Sequence, residues 1–285
     1  MEKKKIYVLA CGGTIAGKAA SADDLTGYAA GQTSIGELLA AVPQLADYAD
    51  VEGEQFCNID SSDMSEDLWQ ALSQRVQEVA DRDDVDGIVI THGTDTMEET
   101  AYFLHLTVHT VKPIVLTGSM RPATAISADG PLNLLEAVQA ASFPDLGQYG
   151  AVIVMNSTIH SARFVEKTDT THADTFKGRQ LGCLGWMQDG RPYIYQKPLR
   201  KHTWSSALSS PKVLPPGRRL RLCRPACGRC LRPGRRQSGS DHCRPRPRQD
   251  AGACLAGLAA PHGKRTRRRP RCPRFRRHGH AGAGL

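Results

Sequence analysis

No apolar run in the 285-residue sequence approaches the roughly 20 residues that a membrane-spanning helix needs, so no membrane span is expected. The Gly-rich turns lack a following Gly-Lys-Ser/Thr, which argues against a P-loop nucleotide site, and Gly12–Gly17 (GGTIAG) lacks the spacing of a dinucleotide fingerprint. Cys11, Cys57 and Cys183 lack metal or redox spacing in the linear sequence and read as reduced, packed thiols. The amino terminus also falls short of a leader. Lys3-Lys4-Lys5 precedes Ile6–Cys11, but that apolar stretch is only about six residues, against the roughly 7–15 of a signal core. It reads as a first β-strand. A cytoplasmic location follows, with a periplasmic one as the alternative if the start is incomplete.

Scarcity is sharpest at the other end. Residues 212–285 hold one valine, no isoleucine, tyrosine or tryptophan, and a single Phe275. Arg, Pro, Gly, Ala and Cys fill 52 of those 74 positions, so too little apolar surface exists to offset the entropy of ordering them. Disorder is expected over 217–285, after a linker at 204–216. The formal charge of +8 is an average over unlike parts: residues 1–211 carry −11 and residues 212–285 carry +19. Three readings compete for the basic segment. It is an arginine-rich nucleic-acid-binding tail, a zinc site from Cys227-x-x-Cys230 with His242-Cys243, or an out-of-frame product replacing a second domain. The composition favours the last, and a nucleic-acid partner or metal is not expected.

What is present lies in residues 1–203. Short apolar runs end in turns rich in Gly, Thr and Ser and are followed by helical patterns. Ile6–Ala10 runs into Cys11-Gly12-Gly13-Thr14, and Gly87–Ile90 into His92-Gly93-Thr94-Asp95-Thr96. Lys112–Ser119 and Gly150–Ser157 repeat the theme. Ser34-x-x-Glu37 is a capping box. Leu68, Leu72, Val76 and Val79 form one stripe on a helix over Ser65–Asp81, another helix is expected from about Thr96 to Val108, and a third starts at Asp129-Gly130-Pro131. Repeated strand–loop–helix units predict an α/β fold with a parallel doubly wound sheet, whose ligand sites lie at strand carboxyl ends. The turn at Thr94–Thr96 has two readings, an ordinary helix cap or a site that gathers hydroxyls and a carboxylate. Lys167, in a polar loop, reads by default as a surface lysine.

CGGTIAG after the first strand and THGTDTMEET after a later one together resemble the bacterial-type L-asparaginases and glutaminase-asparaginases. The resemblance extends from about residue 4 to 203 through VPQL (42–45), GEQ (53–55), SADGP (127–131), KTDTT (167–171) and RKHT (200–203). It implies hydrolysis of asparagine to aspartate and ammonia without metal or organic cofactor, with some glutaminase activity. Thr14 matches the nucleophile and Tyr28 the loop tyrosine that helps activate it. Thr94, Asp95 and Lys167 match a second hydroxyl–carboxylate–ammonium set. Ser61 and Ser62 match the turn that holds the substrate's α-carboxylate, and Asp95 also matches the group that binds its α-amino group. Asp60-Ser61-Ser62 departs from the Gly-Ser-Gln of many secreted relatives. The resemblance further implies a small amino-acid amide as the partner and a homotetramer built as a dimer of dimers. An inactive or weakly active product is the alternative for a chain without a matching second domain.

Overall fold

A computed structural model describes residues 3–19, 21, 23, 28–29 and 31–210. The expectations for 211–285 and for the side chain of Tyr28 lie outside the described residues.

Eight strands form one sheet: β1 (Lys4–Gly12), β2 (Ala49–Ile59), β3 (Gly87–Thr91), β4 (Ile114–Thr117), β5 (Ala151–Met155), β6 (Thr158–Ser161), β7 (Gly185–Gln188) and β8 (Arg191–Ile194). Their spatial order is β8-β7-β6-β5-β4-β3-β1-β2. Strands β1 to β5 pair in parallel, as the alternating strand–helix pattern predicts, while β6, β7 and β8 are added antiparallel. The three antiparallel strands lie where the sequence is least regular, after Ser157. Its strands are short hairpin arms of four residues, too brief to show a period.

Alternation along β1 and β3 divides the core between two faces. Leu9, Cys11, Ile88 and Ile90 pack with α3 (Glu66–Ala80) and α4 (Met97–Thr107) on one side. Ile6, Val8 and Val89 pack on the other with α1 (Ile35–Ala40), the single turn α2 (Leu45–Tyr48) and α5 (Gly130–Ala141). Within α3 the predicted stripe is present: Leu72, Val76 and Val79 are fully buried and Leu68 packs at its margin. The capping box of α1 forms, with Ser34 and Glu37 exchanging hydrogen bonds. The cap expected for α4 does not. Thr96 makes no side-chain cap bond, and its hydroxyl donates to the Ser61 carbonyl at 2.7 Å. Among the described residues no helix is long and apolar enough to cross a membrane.

Strand order reverses at β1 and β3, since the chain leaves β1 for β2 on one side and continues to β3 and β4 on the other. Such a switch point opens a crevice at the carboxyl ends of the two strands. Here the crevice is set by glycine. Gly13 has φ 82° and ψ −168°, a conformation open almost only to glycine. A Cβ on it would lie 2.4 Å from the Gly93 Cα, and a Cβ on Gly93 would lie 2.7 Å from the Ser61 Cβ and Oγ. A Cβ on Gly118 would meet the His92 carbonyl oxygen at 2.4 Å. The turns after β1, β3 and β4 therefore meet backbone to backbone, and the Ser61 side chain from the turn after β2 closes on Gly93.

The glycine packing can be tested by substitution. Gly13→Ala adds both backbone strain and a collision that no side-chain rotation relieves, and should lower stability by about 2–4 kcal/mol in urea denaturation. Gly36→Ala in α1, where nothing lies within 4 Å of the new methyl, should be neutral or raise stability by about 0.5–1 kcal/mol. A further prediction concerns pH. Burial holds the imidazoles of His92, His105 and His160 at a pKa of about 4, against an ordinary 6.5. The unfolded chain then takes up these protons first, so stability is complete above pH 6.5 and is lost as pH falls toward 4. The loss is on the order of 1 kcal/mol or more per imidazole. A urea midpoint equal at pH 7.5 and pH 4.5 would contradict it.

Candidate functional site

Thr14 opens a single 3-10 turn (Thr14–Ala16) directly after Gly13 and is almost fully buried. The turn closes with the Gly17 N–H donating to the Thr14 carbonyl at 2.8 Å. The Gly13 N–H donates to the Ile59 carbonyl at 3.0 Å, so this amide is occupied and does not point at a ligand. Tyr28 pairs through its backbone with Ala19 in a small ribbon of Lys18–Ala19 and Tyr28–Ala29, which leaves the Thr14 turn.

The turn after β3 presents Thr94, Asp95 and Thr96, and each has a partner that a surface cap would not supply. Lys167 Nζ donates to Thr94 Oγ1 at 2.7 Å and to Asp95 Oδ1 at 2.7 Å. The Lys167 side chain is 11% exposed and that of Asp95 44%, so the cation is withdrawn while its carboxylate faces outward. Lys167 is therefore no surface lysine. Its backbone forms a two-residue strand (Glu166–Lys167) against Phe176–Lys177, with Phe176 buried in the core. The Lys167 N–H also donates to the Glu98 carboxylate on the first turn of α4.

Ser61 joins the two turns. It is nearly fully buried in a 3-10 turn (Ser61–Asp63) after β2. Its Oγ accepts the Asp95 N–H at 3.1 Å, and its carbonyl accepts the Thr96 hydroxyl at 2.7 Å. The Ser61 hydroxyl proton is thereby left to donate elsewhere. Ser62 is exposed, and its N–H donates to Asp60 Oδ1 at 2.9 Å. The structure thus joins Ser61, Thr94, Asp95 and Lys167 by direct bonds, and brings Thr14 beside them through the Gly13–Gly93 contact.

Three contributors escape the linear sequence. His92 is buried directly before Gly93. Its Nδ1 donates to the Gly93 carbonyl at 2.8 Å, and its Nε2, unprotonated at neutral pH, accepts the Thr100 hydroxyl at 3.1 Å. Thr100 Oγ1 in turn accepts the Trp69 Nε1–H at 2.8 Å. Glu98 is held at a pKa of about 7, chiefly by burial, with the neighbouring carboxylates of Glu99 and Glu166 adding to the rise and the Lys167 N–H opposing it. Ser119 is fully buried after β4, its Oγ donating to the Arg121 carbonyl at 2.9 Å. The one signal for His92 was a polar residue closing an otherwise apolar strand. Glu98 and Ser119 resembled an ordinary first-turn acid and an ordinary turn serine.

Comparison with known proteins agrees with this arrangement. The family model described as "Asparaginase, N-terminal" matches residues 5–200. L-asparaginase 2 of Bacillus subtilis (strain 168) is 49% identical over 205 residues, covering 71% of this chain and 54% of the relative. L-asparaginase 2 of Escherichia coli (strain K12) is 48% identical over 198 residues, covering 70% of this chain and 56% of the relative. A crystal structure of a probable cytoplasmic L-asparaginase from Campylobacter jejuni aligns with a TM-score of 0.71 at 45% identity, over 73% of this chain and 63% of that one. The chain thus spans between about half and two thirds of the length of these relatives. A sheet that reverses order at two glycine turns, a lysine shared between a threonine and an aspartate, and a match over residues 5–200 agree: the chain belongs to the asparaginase family.

Proposed function

We propose that this chain hydrolyses the side-chain amide of L-asparagine to L-aspartate and ammonia, with glutamine as a poorer substrate. The observation that carries the proposal is Lys167 Nζ held at 2.7 Å from both Thr94 Oγ1 and Asp95 Oδ1, on a turn packed against that of Thr14. Relatives named L-asparaginase 2 support the substrate class, and one named glutaminase-asparaginase, 43% identical over 211 residues, supports the second amide.

The chemistry follows from the donor set. A free amino acid carries an α-ammonium and an α-carboxylate. Asp95, a carboxylate that accepts from Lys167 and is 44% exposed, attracts the first, and the Ser61 hydroxyl donates to the second, with Ser62 at the rim. The side-chain amide then lies over the two threonines. Thr14 Oγ attacks the amide carbon and gives up its proton. The tetrahedral intermediate collapses as ammonia leaves with a proton, and water hydrolyses the resulting ester. An unassisted hydroxyl is a poor nucleophile at neutral pH. Tyr28 and the Thr94–Lys167 pair are the groups assigned to proton movement. Because Lys167 donates to Thr94 Oγ1, the Thr94 hydroxyl proton is directed away from the lysine, toward the bound amide or water.

A second reading is favoured by the extent of the similarity: a chain that binds the amino acid yet turns it over slowly. The family likeness also suggests assembly as a dimer of dimers and, through the Campylobacter protein's name, a cytoplasmic location.

Ammonia release from asparagine by the full chain distinguishes these. Thr14→Ala and Thr94→Val should each lower it by roughly 10²–10⁴-fold, the usual span for lost proton-transfer or nucleophilic groups, while aspartate binding by calorimetry persists. Full activity in both variants would sink the hydrolase reading, and aspartate binding without ammonia release would select the second. Glu98 supplies a separate pH test. As pH rises through about 7 its carboxyl loses a proton beside Lys167, so a negative charge appears near the site. Aspartate affinity should therefore fall between pH 6 and 8 in the parent chain and stay level over that range in Glu98→Gln.

A further inference from the structure

Cys11 and Cys57 are 46 positions apart in sequence but lie on adjacent parallel strands, β1 and β2. Their shared edge is irregular at this point. Ala10 faces Gln55, yet Gly12 faces Ile59, so β2 carries extra residues where Cys57 sits. Cys57 Sγ donates to the Cys11 carbonyl at 3.5 Å, which sets the two cysteines side by side across the strand pair. Both face the same side of the sheet, Cys11 inside the core and Cys57 at its margin. Neighbouring strands run about 4.8 Å apart, which falls inside the roughly 4.4–6.8 Å that disulfide-bonded Cα atoms span. Regular pairing would constrain the bridge geometry tightly, and the bulge loosens that constraint.

We propose that Cys11 and Cys57 are a modification site, a thiol pair that a small-molecule disulfide of the oxidised-glutathione class converts to an intramolecular disulfide. Half-buried Cys57 is the attacking sulfur and buried Cys11 the resolving one. The Cys57 thiolate attacks one sulfur of the reagent, the S–S bond breaks, and the first small thiol leaves as its thiolate. Cys11 then yields its proton to solvent and attacks the Cys57 sulfur of the mixed disulfide, expelling the second small thiol. Two protein thiols and one reagent disulfide thus become one protein disulfide and two reagent thiols, and the reagent is reduced by two electrons. The direction of attack suits the environment. A hydrogen bond from Cys11 lowers the Cys57 thiol, opposed in part by its burial, while Cys11 is raised.

The position gives the bridge a consequence. Cys11 immediately precedes Gly12-Gly13-Thr14, and Cys57 lies three residues before Asp60-Ser61. A disulfide would tie together the two strand ends that carry the candidate nucleophile and the serine beneath the Asp95 amide.

The test uses the full chain with its six cysteines beyond residue 211 replaced by serine, which leaves Cys11, Cys57 and Cys183. After native incubation with oxidised glutathione, the reagent is quenched by acid and peptides are mapped without reduction. The expected result is a peptide joined through Cys11 and Cys57, loss of two of the three titratable thiols, and reversal by dithiothreitol. In Cys11→Ser the product should stop at glutathionyl-Cys57, one thiol lost, which also shows that Cys57 is the first sulfur attacked. The same incubation in urea should abolish the preference for the Cys11–Cys57 pair. Recovery of Cys57 as an unmodified thiol, as a stable mixed disulfide in the parent chain, or joined to Cys183 would overturn the proposal. None of these readouts depends on asparagine hydrolysis, so the pair and the proposed activity stand or fall separately.

Discussion

The contact on which this architecture depends is the approach of Gly13 to Gly93. Strands β1 and β3 are neighbours at the point where strand order reverses, and the chain must leave both at the same end of the sheet. Two ordinary residues there would force the departing turns apart. With no side chain at either position, the two backbones meet, and Ser61 from a third turn fits against Gly93. Thr14 and Thr94 are the next residues along their respective turns. Their proximity is a result of backbone packing and needs no bond between them. The turns carry the hydroxyls and the carboxylate, while their mutual position is fixed by what Gly13 and Gly93 lack.

Charge is used differently at the two ends of the strands. At the amino ends, Lys5 pairs with Glu52 and Asp84, and Arg82 pairs with both of the same carboxylates. These groups are substantially exposed, and exposed pairs contribute little, about 0–1 kcal/mol each. At the carboxyl ends a single withdrawn lysine carries the arrangement. Lys167 belongs to neither β1 nor β3. It arrives on a separate two-residue ribbon, anchored by Phe176 in the core and by its own N–H on Glu98. The sheet therefore supplies the hydroxyls and the carboxylate, and an appended ribbon supplies the cation.

Much of the fold was legible because β1, β3, β4 and β5 are buried on both faces and most helices are amphipathic or capped. Leu72, Val76 and Val79, and the Ser34–Glu37 box, are local signals that packing did not override. The strands β6 to β8 were not legible, since four-residue hairpin arms offer no period to detect. Bonds between distant residues were harder still. Thr96 had the sequence context of a helix cap, yet it makes no cap bond and its hydroxyl donates to the Ser61 carbonyl, 35 residues away. Lys167 had the context of a surface loop, and its burial depends on a ribbon whose second strand lies nine residues further on. Family resemblance supplied what local pattern did not, by matching Thr14 to a nucleophile and Thr94, Asp95 and Lys167 to a second set. It was silent on His92, Glu98 and the Cys11–Cys57 pair, whose properties come from burial and from neighbours across the sheet.

The hydrogen-bond chain through His92 runs in one direction only. Trp69 can only donate, the Gly93 carbonyl can only accept, and a neutral imidazole between them must carry its proton on Nδ1. The tautomer is therefore fixed by the ends of the chain. Each bond in such a series polarises the next, and the last falls on the carbonyl of the peptide that links Gly93 to Thr94. Drawing electron density toward that oxygen leaves the amide nitrogen of the same peptide more positive. A tryptophan on α3 thus strengthens the Thr94 N–H as a donor through two side chains and one peptide plane, without approaching the crevice.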